Sequence, residues 1–97
     1  MRIRTILAIA LLVPAAALAS TSAETRITHG FVHLGMKHKK AACYGGTIGG
    51  NLDQQEAAKA ASIVQSARSG KQVRERVMKA GTEMINAFTA AEQQCGK

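Results

Sequence analysis

Apolar residues in the second half of the chain recur at helical spacing and predict two long helices. The first helix begins at Asp53, which can form a capping box with Glu56, and ends at Ser69–Gly70. Ser69 can also cap the second helix. The apolar stripe of the second helix alternates spacings of four and three through Val77, Gly81, Met84, Phe88, Ala91 and Cys95. Because a short turn joins them, we expect the two helices to be antiparallel.

The segment from Thr25 to Tyr44 has a weaker helical pattern. Its apolar stripe consists of Ile27, Phe31, Leu34, His38 and Ala41. Gly30 and Gly35 each disfavour a helix by about 1 kcal/mol relative to alanine. Cys43 lies opposite Leu34 on a helical wheel. We therefore expect an amphipathic helix that either buries two faces or ends before Cys43.

A glycine-rich run follows this segment and predicts a break or a tight backbone approach. It reads Gly45-Gly46-Thr47-Ile48-Gly49-Gly50. The run lacks the lysine and the following hydroxyl residue of a P-loop, and no strand precedes it, so a turn with close helix packing is the better interpretation. No strand pattern of useful length occurs. The sequence therefore predicts an all-α fold, a small helical bundle or helical hairpin of about three helices.

The N-terminal residues have the order of a cleavable secretory signal peptide. Arg2 and Arg4 precede an apolar run over Ile6–Val13, and a proline and small residues follow. This run is shorter than the ~20 residues that a membrane-spanning helix needs. Because signal peptidase requires small residues near the cleaved bond, cleavage is expected after Ala19 or, alternatively, after Ala23.

Export leaves one small domain, residues 24–97, in the periplasm or outside the cell. Without the leader arginines it has eleven basic and six acidic residues, a net charge near +5 with neutral histidines. A domain of this size buries only ~60% of its unfolded surface and needs reinforcement. Cys43 and Cys95 can supply one disulfide, whose loop of roughly 50 residues stabilises the fold by ~4 kcal/mol. An intermolecular bridge or a reactive thiol is the alternative.

Two basic clusters are the candidate anion- or partner-binding residues. The first basic cluster consists of Lys37, Lys39 and Lys40, with His38 among them. The second basic cluster consists of Lys71, Arg74, Arg76 and Lys79. They favour lipopolysaccharide phosphates, an acidic membrane surface or an acidic protein, although such residues also serve simply as a solvated surface. Nucleic acid is not expected, because the chain is exported and contains only two Phe and one Tyr to stack on bases.

A metal site is a weaker hypothesis. On a continuous helix His29, His33 and Met36 share one face, and this donor set suits copper or zinc. The same face carries Arg26 and Lys40 but no carboxylate to orient the imidazoles, so a solvated surface is the better interpretation. We expect no metal and no other cofactor.

His38 belongs to the apolar stripe of the first predicted helix instead. We therefore expect its side chain to be partly buried. Burial disfavours the charged imidazole, so this histidine would make the fold less stable in acid.

Catalytic residues are not recognisable in the sequence. Asp53 and Glu56 are explained as helix caps, and the other acids are scattered over polar faces. No nucleophile has a base beside it, and neither cysteine belongs to a C-x-x-C pair. We therefore expect a non-enzymatic protein.

Two features resemble known families of small exported proteins. A helical chain of this length with one long disulfide loop resembles the periplasmic acid-stress chaperones, although Cys43-Tyr44-Gly45-Gly46 replaces their threonine-cysteine-glutamate-aspartate motif. The cysteine, glycine and aspartate spacing over Cys43–Asp53 resembles small immunity proteins of type VI secretion. These resemblances imply a chaperone-like or an inhibitor- or immunity-like role.

The leading hypothesis is an exported, non-enzymatic binding or protective protein that contacts another envelope or periplasmic protein. Its thin, alanine-rich core and the absence of catalytic groups favour this class. The alternative is a basic envelope-surface binder of anionic lipid or lipopolysaccharide. Metal binding through the two histidines and the methionine is the weakest of the three.

Overall fold

The computed structural model describes residues 22–96, and this part of the chain is helical. Its five helices are α1 (22–33), α2 (His38–Gly50), α3 (Gln54–Ser66), α4 (Gly70–Ala80) and α5 (Thr82–Cys95). The predicted all-α class is confirmed, but the predicted number of helices is wrong. Most of the predicted signal peptide lies outside the described residues. Of its two cleavage positions, Ala19 lies outside them too, and Ala23 is a buried residue of α1.

Gly35 divides the first predicted helix into α1 and α2. Its φ of +102° lies in a region that L side chains rarely adopt. The Gly35 N–H donates to the Val32 carbonyl at 3.0 Å, and the Met36 N–H donates to the Phe31 carbonyl, also at 3.0 Å. This pair of bonds is a Schellman motif, which ends a helix and satisfies its last carbonyls. Gly35 therefore ends α1, although the helical pattern of the sequence continues through this position.

Gly81 divides the second long predicted helix in the same way. Its φ is +110°, and it is both the C-cap of α4 and the N-cap of α5. A Cβ at this position would meet nothing within 4 Å, so backbone conformation rather than space requires glycine here. The predicted apolar stripe is therefore shared by two helices that meet at a corner.

The glycine-rich run lies inside α2, so the predicted break is wrong and the predicted close approach is confirmed. At Gly45 an added Cβ would collide with the Thr28 hydroxyl and come within 2.7 Å of the Glu24 carbonyl oxygen of α1. At Gly49 it would collide with the Glu24 side chain. The absence of side chains at these two positions lets α1 pack directly against α2.

The predicted caps of α3 and α4 are confirmed. The Asp53 carboxylate accepts a hydrogen bond from the Glu56 N–H at 2.8 Å. The Ser69 hydroxyl accepts one from the Gln72 N–H at 3.2 Å. Each bond satisfies a backbone donor that the helix itself leaves without a partner.

The core is formed by all five helices of the described chain. Its largest fully buried side chains are Ile27 of α1, Ile48 of α2, Val64 of α3 and Met84 of α5, and α4 adds Val73 and Val77. Phe31 contacts two other rings, with centroid distances of 5.1 Å to Tyr44 and 6.4 Å to Phe88.

The predicted disulfide joins α2 to the end of α5. Cys43 and Cys95 are bonded, with their Cα atoms 5.8 Å apart across 52 positions of sequence. On the chain-entropy model a loop of this length stabilises the fold by about 4 kcal/mol.

Two neighbouring glycines of α2 give a matched test of the packing between α1 and α2. Gly45→Ala should lower the free energy of unfolding by about 1–3 kcal/mol, because the added methyl pushes α1 away. Gly46→Ala should raise it by up to about 1 kcal/mol, because a Cβ there meets nothing within 4 Å and alanine favours helix. Urea unfolding followed by circular dichroism measures both. Changes of the same sign in the two variants would contradict the described packing.

Candidate functional site

A groove of about 1200 Å³ opens on one face of the molecule between α2, α4, α5 and the turn that follows α1. Apolar side chains from all four segments line it, including Phe31, Leu34, Met36, Tyr44, Val77, Ile85 and Phe88. The aromatic residues of the whole chain, two Phe and one Tyr, are all among them. This concentration of apolar and aromatic surface makes the groove the candidate functional site.

The two helix-dividing glycines build the groove. The Schellman turn at Gly35 places Leu34 and Met36 beside α2 and α5. In a continuous helix these two residues would lie further along the axis of α1. The corner at Gly81 lets Val77 of α4 and Ile85 of α5 line the same groove. The groove is therefore a consequence of the breaks that the sequence analysis did not predict.

The groove brings the two basic clusters together in part. Lys37 and Lys40 come from the first basic cluster and Arg74 from the second, and all three line the groove. Glu92 is the acidic residue among the lining residues, so positive charge is in excess around an apolar surface. Residues more than thirty positions apart in sequence thus form one cationic rim.

The other candidate basic residues do not line the groove. They are Lys39, Lys71, Arg76 and Lys79. The Arg76 guanidinium donates a hydrogen bond to the Ser66 hydroxyl at 2.8 Å, which links α4 to the end of α3. At least one of these residues therefore has a structural contact that the sequence did not reveal.

The helix starts beside the groove carry unfavourable charge. A helix N-terminus has a partial positive charge and favours acidic side chains. The first turns of α3 and α5 follow this rule with Glu56 and Glu83. The first turns of α2 and α4 contain no acidic residue, and basic residues occupy them instead. An anion at the groove would thus meet both lysine or arginine side chains and helix N-termini.

Tyr44 lies in the groove lining with its side chain largely buried. Burial raises the pKa of its phenol above the ordinary value of about 10, and the negative charge of Glu92 raises it further. The phenol is therefore neutral in the groove at physiological pH and can donate a hydrogen bond there.

The three candidate metal ligands do not share a face, because α1 ends at residue 33. His29 and His33 are exposed on α1, whereas Met36 lies beyond the helix and lines the groove. Residues 22–96 contain no group of three or more His, Cys, Asp or Glu side chains placed to hold a metal ion.

His38 is exposed, so the prediction that it is partly buried is wrong. The reason is the break at Gly35, which makes His38 the first residue of a new helix rather than part of the α1 stripe. With Glu24 and His29 it lines a shallow groove of about 300 Å³ between α1 and α2. The burial on which the expected acid sensitivity depended is therefore absent at this position.

Sequence reasoning missed Ile85 and Met78, which also line the groove. Met78 is 68% exposed and lies among charged residues on the outer face of α4. The sequence signal for Met78 is an apolar side chain at a polar position of the helix. Such a residue is not stabilised by burial in the core and can therefore mark a binding surface.

Comparison with known proteins does not assign this chain to a family. No protein-family model, curated protein or solved structure matches it. The resemblances to acid-stress chaperones and to type VI immunity proteins are thus left without further support. Among the helices of residues 22–96, none combines the length and the apolar character needed to cross a membrane.

The raised pKa of Tyr44 predicts how stability changes at alkaline pH. Because the folded state favours the neutral phenol, its stabilising contribution is complete below pH ~10 and is lost as pH rises through the folded pKa. The chain has one Tyr and no Trp, so tyrosinate absorbance reports on this group alone. The folded protein should titrate at higher pH than the urea-unfolded protein, and Glu92→Gln should reduce the difference. Equal midpoints in the folded and unfolded protein would contradict the described burial.

Proposed function

We propose that this chain is exported and acts as a non-enzymatic binding protein that receives a segment of another envelope protein in the groove. The observation that carries the proposal is the groove itself, an apolar surface bordered by Lys37, Lys40 and Arg74. Protein-binding surfaces concentrate aromatic residues, Met and Arg. The groove has all the aromatic residues of the chain together with Met36 and Met78.

Covalent and hydrogen bonds hold the helices that form the groove in place, which favours a preformed binding site. The Cys43–Cys95 disulfide links α2 to α5, and the Arg76–Ser66 hydrogen bond links α4 to α3. A preformed site loses less conformational entropy when a ligand binds. The scaffold therefore supports a role in recognition.

Export is proposed from two features of the sequence and structure. The N-terminal residues have the order of a signal peptide. The cysteine pair of the domain is joined as a disulfide, a bond that persists in oxidising compartments. Both are consistent with a periplasmic or secreted protein.

Two large apolar residues are exposed among residues 22–96, and they allow a matched crosslinking experiment. Met78 lines the groove, whereas Val32, which is 38% exposed, does not. A photo-reactive amino acid should be placed at either position, and the mature, oxidised protein irradiated in envelope extract from its own source. We expect a discrete protein adduct from position 78 and none from position 32. Equal adducts from both positions, or none from either, would argue against the groove as a protein-binding surface.

Binding of anionic lipid is a second candidate function, because three cations meet beside an apolar surface in the groove. It predicts flotation with phosphatidylglycerol vesicles but not with phosphatidylcholine vesicles, and a strong decrease with salt. Lys40→Glu should weaken this association more than Lys39→Glu, since both change the net charge equally and only Lys40 lines the groove. Vesicle binding that the two substitutions weaken equally would reflect general attraction to a basic protein.

A further inference from the structure

We infer that the segment seated in the groove is an acidic amphipathic helix of the partner protein. This inference rests on the proposed function and specifies what the groove recognises. Three independent properties of the groove lead to it: its size, the charge on its rim and the charge at the helix starts beside it.

The volume of the groove is large enough for part of a helix. An α-helix with its side chains is about 10–12 Å in diameter and rises 1.5 Å per residue, so each residue occupies roughly 140 Å³ of cylinder. The 1200 Å³ of the groove thus equals about two turns of helix, or a longer helix that inserts one face only. Pockets for small molecules usually measure about 300–1000 Å³. A single acyl chain is much narrower than a helix and would leave most of the groove to water.

The lining of the groove suits the apolar face of a helix. Its walls are helices α2, α4 and α5, and an additional helix can pack its i, i+3, i+4 and i+7 side chains between them. Met36 and Met78 line it with flexible thioether side chains that adapt to the shape of a partner. Phe31, Tyr44 and Phe88 are at most 9% exposed and form the rigid floor of the groove.

The rim determines the charge of the partner helix. Lys37, Lys40 and Arg74 line the groove, and Glu92 is the acid that opposes them. A helix whose polar face carries Asp or Glu next to its apolar face would place these carboxylates beside the three cations. A basic helix would meet like charges, which costs binding energy and excludes wrong partners.

The N-termini of α2 and α4 give a separate reason to expect negative charge on the partner helix. Lys37 is the N-cap of α2 and makes no side-chain capping bond, and the first turns of α2 and α4 lack acidic residues. Lys37 and Lys40, which line the groove at the start of α2, oppose the helix dipole there and lower the stability of the free protein. Carboxylates of a bound helix would supply the missing negative charge at both helix starts.

Two synthetic peptides of about four turns test the inference. Both carry Leu at i, i+3, i+4 and i+7 positions, with Glu at most other positions of the first and Lys at those of the second. Fluorescence anisotropy with labelled peptides and the mature, oxidised protein measures binding at low and at physiological salt. We expect the Glu peptide to bind and to gain helicity, and the Lys peptide to bind about tenfold more weakly or not at all.

Matched variants locate the binding site. Lys40→Glu and Met78→Glu should weaken binding of the Glu peptide about tenfold, whereas Lys39→Glu and Val32→Glu should leave it within about twofold of the original protein. All four positions are exposed, so none of these substitutions removes core packing. Circular dichroism checks that each variant folds.

Several outcomes would overturn the inference. They are the absence of Glu-peptide binding, equal binding of the two peptides, and equal effects of Lys39→Glu and Lys40→Glu. Binding of lysophosphatidylglycerol that depends on Lys40, without binding of the Glu peptide, would assign the groove to an anionic lipid instead. Crosslinking of a protein at position 78 together with failure of the Glu peptide would leave the proposed function standing and remove only the acidic helix.

Discussion

The covalent link between α2 and α5 is the constraint on which the rest of the molecule depends. The buried side chains of the core include many alanines, which contribute little apolar surface, and a domain of this size is only marginally stable without reinforcement. The Cys43–Cys95 bond removes about 4 kcal/mol of chain entropy from the unfolded state. Because α2 and α5 also form two walls of the groove, the same bond stabilises the fold and holds the proposed binding surface in shape.

Two glycines shape the surface that this scaffold presents. With positive φ at Gly35 and Gly81, the chain changes direction where a continuous helix would have buried its apolar stripe against one neighbour. Apolar side chains from four segments then border an open groove beside the core. A protein selected only for stability would gain by filling this space, which supports the proposal that the groove receives a partner.

The charges at the groove conflict with the stability of the helices that carry them. Asp53 and Ser69 cap α3 and α4 as the rules of helix formation predict. By contrast, α2 has Lys37 at its N-cap, Lys39 and Lys40 in its first turn, and no side-chain cap. Such local conflicts are concentrated at functional sites, because binding rather than folding compensates them. The conflict here lies at Lys37 and Lys40, which line the groove together with Arg74, and this ties the electrostatics of the fold to its proposed role.

The sequence by itself determined the all-α class and the caps of α3 and α4, and it left only one possible intramolecular disulfide. These features depend on neighbours along the chain or, for the disulfide, on the presence of a single cysteine pair. Sequence patterns did not reveal that Gly35 and Gly81 end helices. A glycine within a periodic pattern can lie inside a helix or end it, and the pattern does not distinguish the two. The exposure of His38, the groove and the meeting of the two basic clusters all follow from these breaks. Only the tertiary structure decided them, because they depend on where separate helices come to lie in space.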